Sequence, residues 1–146
     1  MRRSLRKFMK ETYEELEELG DLEMLEPEDI PEKKGVYIIV STKTNFTYSK
    51  GDSKVIYIGK SDNINKRLRS HKKHLLNIKG MKEGEKREYW YYPKYHYMDR
   101  HGARVYFVSA KGNKNPHNLE RDIIEMFYDT HLSLPVGNGA FSFGKN

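Results

Sequence analysis

Residues 35–40 read Gly-Val-Tyr-Ile-Ile-Val, a run of β-branched and aromatic side chains that predicts a strong strand. A second run, Lys54-Val-Ile-Tyr-Ile-Gly59, follows a polar stretch ending in Lys50-Gly51-Asp52-Ser53. Two such runs separated by turn residues predict a hairpin with a long loop. A third run, Arg104-Val-Tyr-Phe-Val-Ser-Ala110, predicts a third strand. The rest of the chain has to cover the sheet these runs form.

Helical patterns supply that cover. Leu5, Phe8, Met9, Tyr13, Leu16 and Leu19 recur at helical spacing, and Gly20 marks a stop, so residues 4–19 are expected to be an amphipathic helix. Glu26 to Lys34, with Pro27 and Pro31, reads as a connector. Asp62 is the expected N-cap of a helix running to about Asn77. Residues 80–102 read as an irregular insert rich in tyrosine and charge. Asn115-Pro116 forms an N-cap and first-turn pair that opens a helix to about His131. The tail after Pro135 is loop-like, and no repeat or separate second domain is visible. The expected fold is α+β, a small three-stranded antiparallel sheet flanked by helices. Residues 1–34 would add an N-terminal helix and connector to a main body at 35–146, all in one compact domain.

Composition narrows the function classes. The chain has 146 residues and no cysteine. This excludes disulfides, thiolate zinc sites and cysteine nucleophiles, and it suits a cytoplasmic setting. No apolar run approaches the roughly 18 residues of a membrane span, and no apolar segment follows the basic start. The net charge of +6 is uneven. Residues 1–34 carry 7 Lys/Arg against 11 Asp/Glu, whereas residues 35–146 carry 20 against 10. A basic body suits a polyanion such as nucleic acid, and equally a lysine-rich solubilising surface.

Four local signals carry chemistry. Tyr37 and Tyr57 sit on adjacent predicted strands, where alternation can bring two phenols beside the flat surface of Gly59. Strand tyrosines are also ordinary packing residues. In the helix after Asp62, Ile64, Leu68 and Leu75 form an apolar stripe that includes His71 and has Arg67 and His74 at its edge. Arg67 and His71, at i and i+4, then point to the helix–sheet border, where a guanidinium suits a phosphate. Glu120 falls within the apolar arc of the last helix, beside Ile124 and Phe127, while Glu125 and Asp129 point elsewhere. A core-facing carboxylate requires a cation, a metal or hydrogen bonds, so Glu120 is either a hard-metal ligand or half of a structural salt bridge. Leu134-Pro-Val-Gly-Asn138 is either a plain turn or a turn that delivers a fixed amide.

Taken together and in this order, these residues resemble the GIY-YIG nuclease family from Gly35 to Asn138. Gly35-Val36-Tyr37 and Tyr57-Ile58-Gly59 match its two name-giving elements, and Lys60 and Asn63 their continuation. Arg67, His71, Glu120 and Asn138 match the arginine, the His or Tyr one turn later, the metal-binding glutamate and the closing asparagine. The resemblance implies phosphodiester hydrolysis with one divalent metal, Mg²⁺ or Mn²⁺, held by Glu120. It assigns transition-state charge to Arg67, the proton of the attacking water to Tyr57 with Tyr37 orienting it, and phosphate binding or proton relay to His71. A phenol would need a nearby cation such as Lys60 or the metal to lower its pKa. The loop between the tyrosine elements, the 80–102 insert and the Glu120 to Asn138 interval are longer than the family pattern, which bears on specificity more than on chemistry.

Substrate contacts are expected outside this core. Lys66, Arg69, Lys72 and Lys73 would track a phosphate backbone. Trp90 and Lys94, within the aromatic stretch Glu88 to Tyr97, could stack on bases or simply pack the insert. DNA is the expected partner, with RNA or binding without turnover as alternatives, and the protein would act as a monomer or homodimer. His71, His74, His96 and His101 match no zinc spacing.

Overall fold

A computed structural model describes residues 16–86, 93–110 and 115–138. It contains strands β1 (Glu17–Asp21), β2 (Gly35–Val40), β3 (Phe46–Thr47), β4 (Asp52–Ser53), β5 (Val55–Ser61) and β6 (Arg104–Ser109). Strands β3 and β4 make a short ribbon in the loop between β2 and β5. The other four form one antiparallel sheet in the order β1-β6-β2-β5. The helices are α1 (Ile64–Lys79), α2 (Glu83–Lys86), α3 (Pro93–His101) and α4 (Pro116–His131). The fold is α+β.

Alternation along the strands sorts the core into two clusters. Tyr37, Ile39, Tyr57, Val105 and Phe107 pack with Ile64, Leu68, Leu75, Tyr95 and Met98 of α1 and α3. Val36, Ile38, Ile58 and Val108 pack with Leu119, Ile123 and Phe127 of α4. With both faces covered, all six residues of β2 are buried. A bulge where Ile39 faces Tyr57 but Val40 faces Val55 leaves Ile56 on the same side as Tyr57. β5 is an edge strand, and its free edge is closed by the segment after α4. The Asn138 side chain accepts from Ile58 N at 3.0 Å and donates to Ile58 O at 2.9 Å. Gly137 N donates to Ile56 O at 2.7 Å.

The sheet has four strands rather than the expected three, and the difference lies in the N-terminal segment. Residues 17–21, expected to end a helix, form β1 against β6. Leu16 and Leu19 are three apart, which is one face of a helix but opposite faces of a strand. They pack on opposite clusters accordingly. Gly20, at φ 118°, follows the bulge in this strand. Residues 1–15, the rest of the expected helix, lie outside the described residues. The acidic segment also finds its partners here. Glu18 meets Arg104 at 3.1 Å and accepts from Tyr106 at 3.0 Å, and Asp21 lies 3.3 Å from Arg104.

Other boundaries shift as well. Asn63, not Asp62, caps α1, because β5 runs on through Ser61; its side chain accepts from Lys66 N. α1 continues to Lys79 rather than Asn77. The segment expected to be irregular at 80–102 contains α2 and α3, and α3 buries Tyr95 and Met98, three residues apart. The third expected strand ends at Ser109 and the second begins at Val55. Asn115 caps α4 as expected, accepting from His117 N, with Pro116 in the first turn.

Candidate active site

The phenols, the arginine and the first histidine come together on one face of the sheet. Pairing of β2 with β5 sets Tyr37 opposite Gly59 and Tyr57 opposite Ile39, so both rings face α1 with their centroids 6.0 Å apart. One helical turn separates Arg67 from His71, which puts both beside Tyr37. The Tyr37 hydroxyl lies 2.6 Å from His71 Nε2, and Arg67 Nε donates to it at 3.4 Å. On its other side His71 Nδ1 lies 2.8 Å from the Tyr95 hydroxyl. His71 is buried, whereas Arg67 is exposed.

Burial dominates the electrostatics of this group. It pushes the Tyr37 phenol well above its usual value, and raises Tyr57 too. Arg67 opposes both shifts, and the Glu120 charge adds to that of Tyr57. Burial, then the positive charges of Arg67, Lys94 and His74, hold His71 well below the usual histidine range. A neutral imidazole has one donor and one acceptor, so one of its two phenol partners donates to it and the other accepts.

Glu120 stands on the other side of the edge strand. It is the only buried carboxylate among the described residues, as its place in the apolar arc of α4 predicts. Its Oε1 lies 3.8 Å from Lys60 Nζ, and burial raises its pKa while Lys60 opposes the shift. Lys60 follows Ile58 on the α4 face of β5, so it partners Glu120 and His117 instead of Tyr57; Lys60 Nζ lies 2.7 Å from His117 Nδ1. Arg67, rather than Lys60, is the cation that lowers both phenols. Arg67 from the phenol side and Lys60 from the carboxylate side both line an open cleft of about 440 Å³, together with Ser61, Asp62, Asn115 and His117.

No family model, curated protein or solved structure matches this chain. Glu120, 3.8 Å from the Lys60 ammonium that lines the cleft, could hold Mg²⁺, which commonly takes one or two protein carboxylates and fills its remaining positions with water and substrate oxygens. Among the described residues no group of three or more His, Asp or Glu residues is placed to hold a metal ion.

The expected nucleic-acid contacts fare unevenly. Lys66 and Lys73 are exposed on α1. Arg69 is exposed too, its Nε donating to Asn65 Oδ1 at 2.9 Å. Lys72 Nζ donates to the Leu25 carbonyl at 2.7 Å, which ties α1 to the connector. Lys94 is drawn into the site, with Nζ 4.9 Å from the Tyr57 ring centre and 5.4 Å from that of Tyr95, and burial lowers its pKa. Trp90 lies outside the described residues. Two residues escaped the sequence reading. Tyr95 was hidden in a segment read as irregular, although its spacing to Met98 is helical. His117 sits one turn before Glu120 on the same helix, an i, i+3 relation that would have found it.

Proposed function

We propose that the chain is a divalent-metal-dependent endonuclease of the GIY-YIG type that hydrolyses phosphodiester bonds in DNA. The observation that carries this reading is the chain Arg67–Tyr37–His71, joined by hydrogen bonds on the same sheet face as Tyr57. Packing alone does not call for an exposed guanidinium held against a buried phenol. Mg²⁺ or Mn²⁺, bound through Glu120, would supply charge neutralisation at the scissile phosphate.

The remaining steps belong to the protein. Arg67 would hold the phosphate and meet the charge that builds on it in the transition state. Tyr57, nearer the surface than the fully buried Tyr37, would take the proton of the attacking water, with Tyr37 beside it helping to orient the group. Neutral His71 accepts or donates at Nε2 and so gives the phenols a route for a proton. The two buried phenols are poor bases by themselves, and the approach of Arg67 works in their favour. Asn138 holds the backbone of β5 next to Gly59.

The test is a cleavage assay on plasmid, linear duplex, branched and single-stranded DNA, and on RNA, with Mg²⁺ or Mn²⁺ and with EDTA. Metal-dependent cutting is expected, lost in Glu120→Ala and reduced about 10²- to 10³-fold in Arg67→Ala. Salt-sensitive binding without cutting of any substrate would instead mark a binding module.

A further inference from the structure

His117 has no task in the chemistry above, yet its ring is held in place. Lys60 Nζ approaches Nδ1 at 2.7 Å. An ammonium offers only protons, so Nδ1 accepts and the ring hydrogen of a neutral imidazole belongs on Nε2. Lys60 thus selects the tautomer of His117, as a hydrogen bond to one ring nitrogen generally does. The ring is half-exposed on the first turn of α4 and lines the 440 Å³ cleft together with Lys60 and Arg67. One carboxylate, Asp62, is also in the lining, and it is exposed. Glu120, behind the lining, lies 3.8 Å from Lys60 and offsets part of its charge, which leaves the Arg67 guanidinium, the remaining Lys60 protons and the His117 donor facing one solvated carboxylate, a setting that suits an anion.

We propose that this cleft binds a phosphate group of the nucleic-acid backbone and that His117 Nε2–H is its third donor, beside Lys60 and Arg67. The identity of the ligand rests on the nuclease reading; the anion chemistry does not. Arg67 reaches the cleft from α1 and His117 from α4, so a phosphate there would be gripped from both sides of the sheet. A neutral donor adds direction without further charge, which favours a phosphate in a fixed orientation over loose attraction of any anion.

The experiment follows the imidazole nitrogens of ¹⁵N-labelled protein by NMR while inorganic phosphate is added without metal. The free protein is expected to show the Nε2–H tautomer at His117, and phosphate is expected to shift that nitrogen. His117→Ala should weaken phosphate binding about 5- to 10-fold, and His117→Gln, whose amide can donate from a similar position, should restore most of it. With duplex DNA and Mg²⁺, His117→Ala should raise KM more than it lowers kcat. An Nδ1–H tautomer in the free protein, or equal phosphate affinity in wild type and His117→Ala, overturns the proposal. If phosphate binds through His117 but no nucleic acid is cut, the site stands and the nuclease reading falls. If DNA is cut while phosphate ignores His117, the reverse holds.

Discussion

A methyl group on Gly59 would run into the ring end of Tyr37 and lie 2.7 Å from the ring of Tyr57. This glycine is needed because two phenols close over it, and its backbone angles have no part in the matter. The same crowding isolates His71 from water, with consequences that a titration can read. An unfolded histidine titrates near pH 6.5, whereas burial and the surrounding cations hold folded His71 well below that. As pH falls through 6.5 the unfolded chain takes up a proton that the folded chain refuses. The stability contributed by the neutral ring is therefore complete above that value. It drains away below it, by up to about 1.4 kcal/mol per pH unit, until the folded pKa is reached. Urea denaturation from about pH 7.5 down to about pH 5 should show this slope in the wild type and a shallower one in His71→Gln. Parallel profiles would mean that the imidazole titrates freely in the folded protein. At this scale the sequence was informative about Arg67, His71 and Glu120, because helical spacing alone decides which of them face the core. It was silent on Tyr95, and it read Lys94 as a nucleic-acid contact without its place over Tyr57; both placements arise from how α3 docks.

Among the elements, the three apolar strands were legible because β-branched runs bounded by turns admit few alternatives. β1 was misread because Leu16 and Leu19 satisfy a helical pattern as well as two faces of a strand. Its choice was made by Arg104 and Tyr106 on the neighbouring strand, to which Glu18 binds. The Pro-Val-Gly-Asn turn was recognisable as a turn, but only tertiary structure makes its amide a surrogate strand on β5. Asn138→Ala would remove two hydrogen bonds from Ile58 and is expected to cost about 1–3 kcal/mol. Amide hydrogen exchange should localise the damage. Ile58 should exchange on the order of 10- to 100-fold faster, while Ile38, in the middle of the sheet, keeps its protection. Uniform acceleration across the sheet, or none at Ile58, would contradict a local role for this side chain.

For the molecule as a whole, charge follows the sheet from edge to edge. The acidic β1 closes one edge, and the cleft with Lys60 and Arg67 opens around the other. Glu17, Glu18 and Asp21 of β1 thus lie across the sheet from the candidate site, whereas the connector from Pro27 to Lys33 packs on the first turn of α1. Among the described residues no helix is long and apolar enough to cross a membrane. Deleting residues 1–21 would bare the edge of β6, and unpaired strand edges recruit other chains. Light scattering of the truncated protein is expected to show association at about micromolar concentrations, with the full chain as reference; a truncated chain that stays monomeric with unchanged melting would show that β1 is dispensable cover.

The phenol-bearing half of the site grows from one apolar cluster and the carboxylate half from the other, and β5 is the seam between them. Such a seam divides inheritance as well as space. Drift among the residues beneath α4 can re-aim Glu120 and His117 while the packing around Tyr37 and His71 stays as it was. On the proposed reading, descendants of this chain could revise how they grip a ligand without rebuilding how they handle a proton.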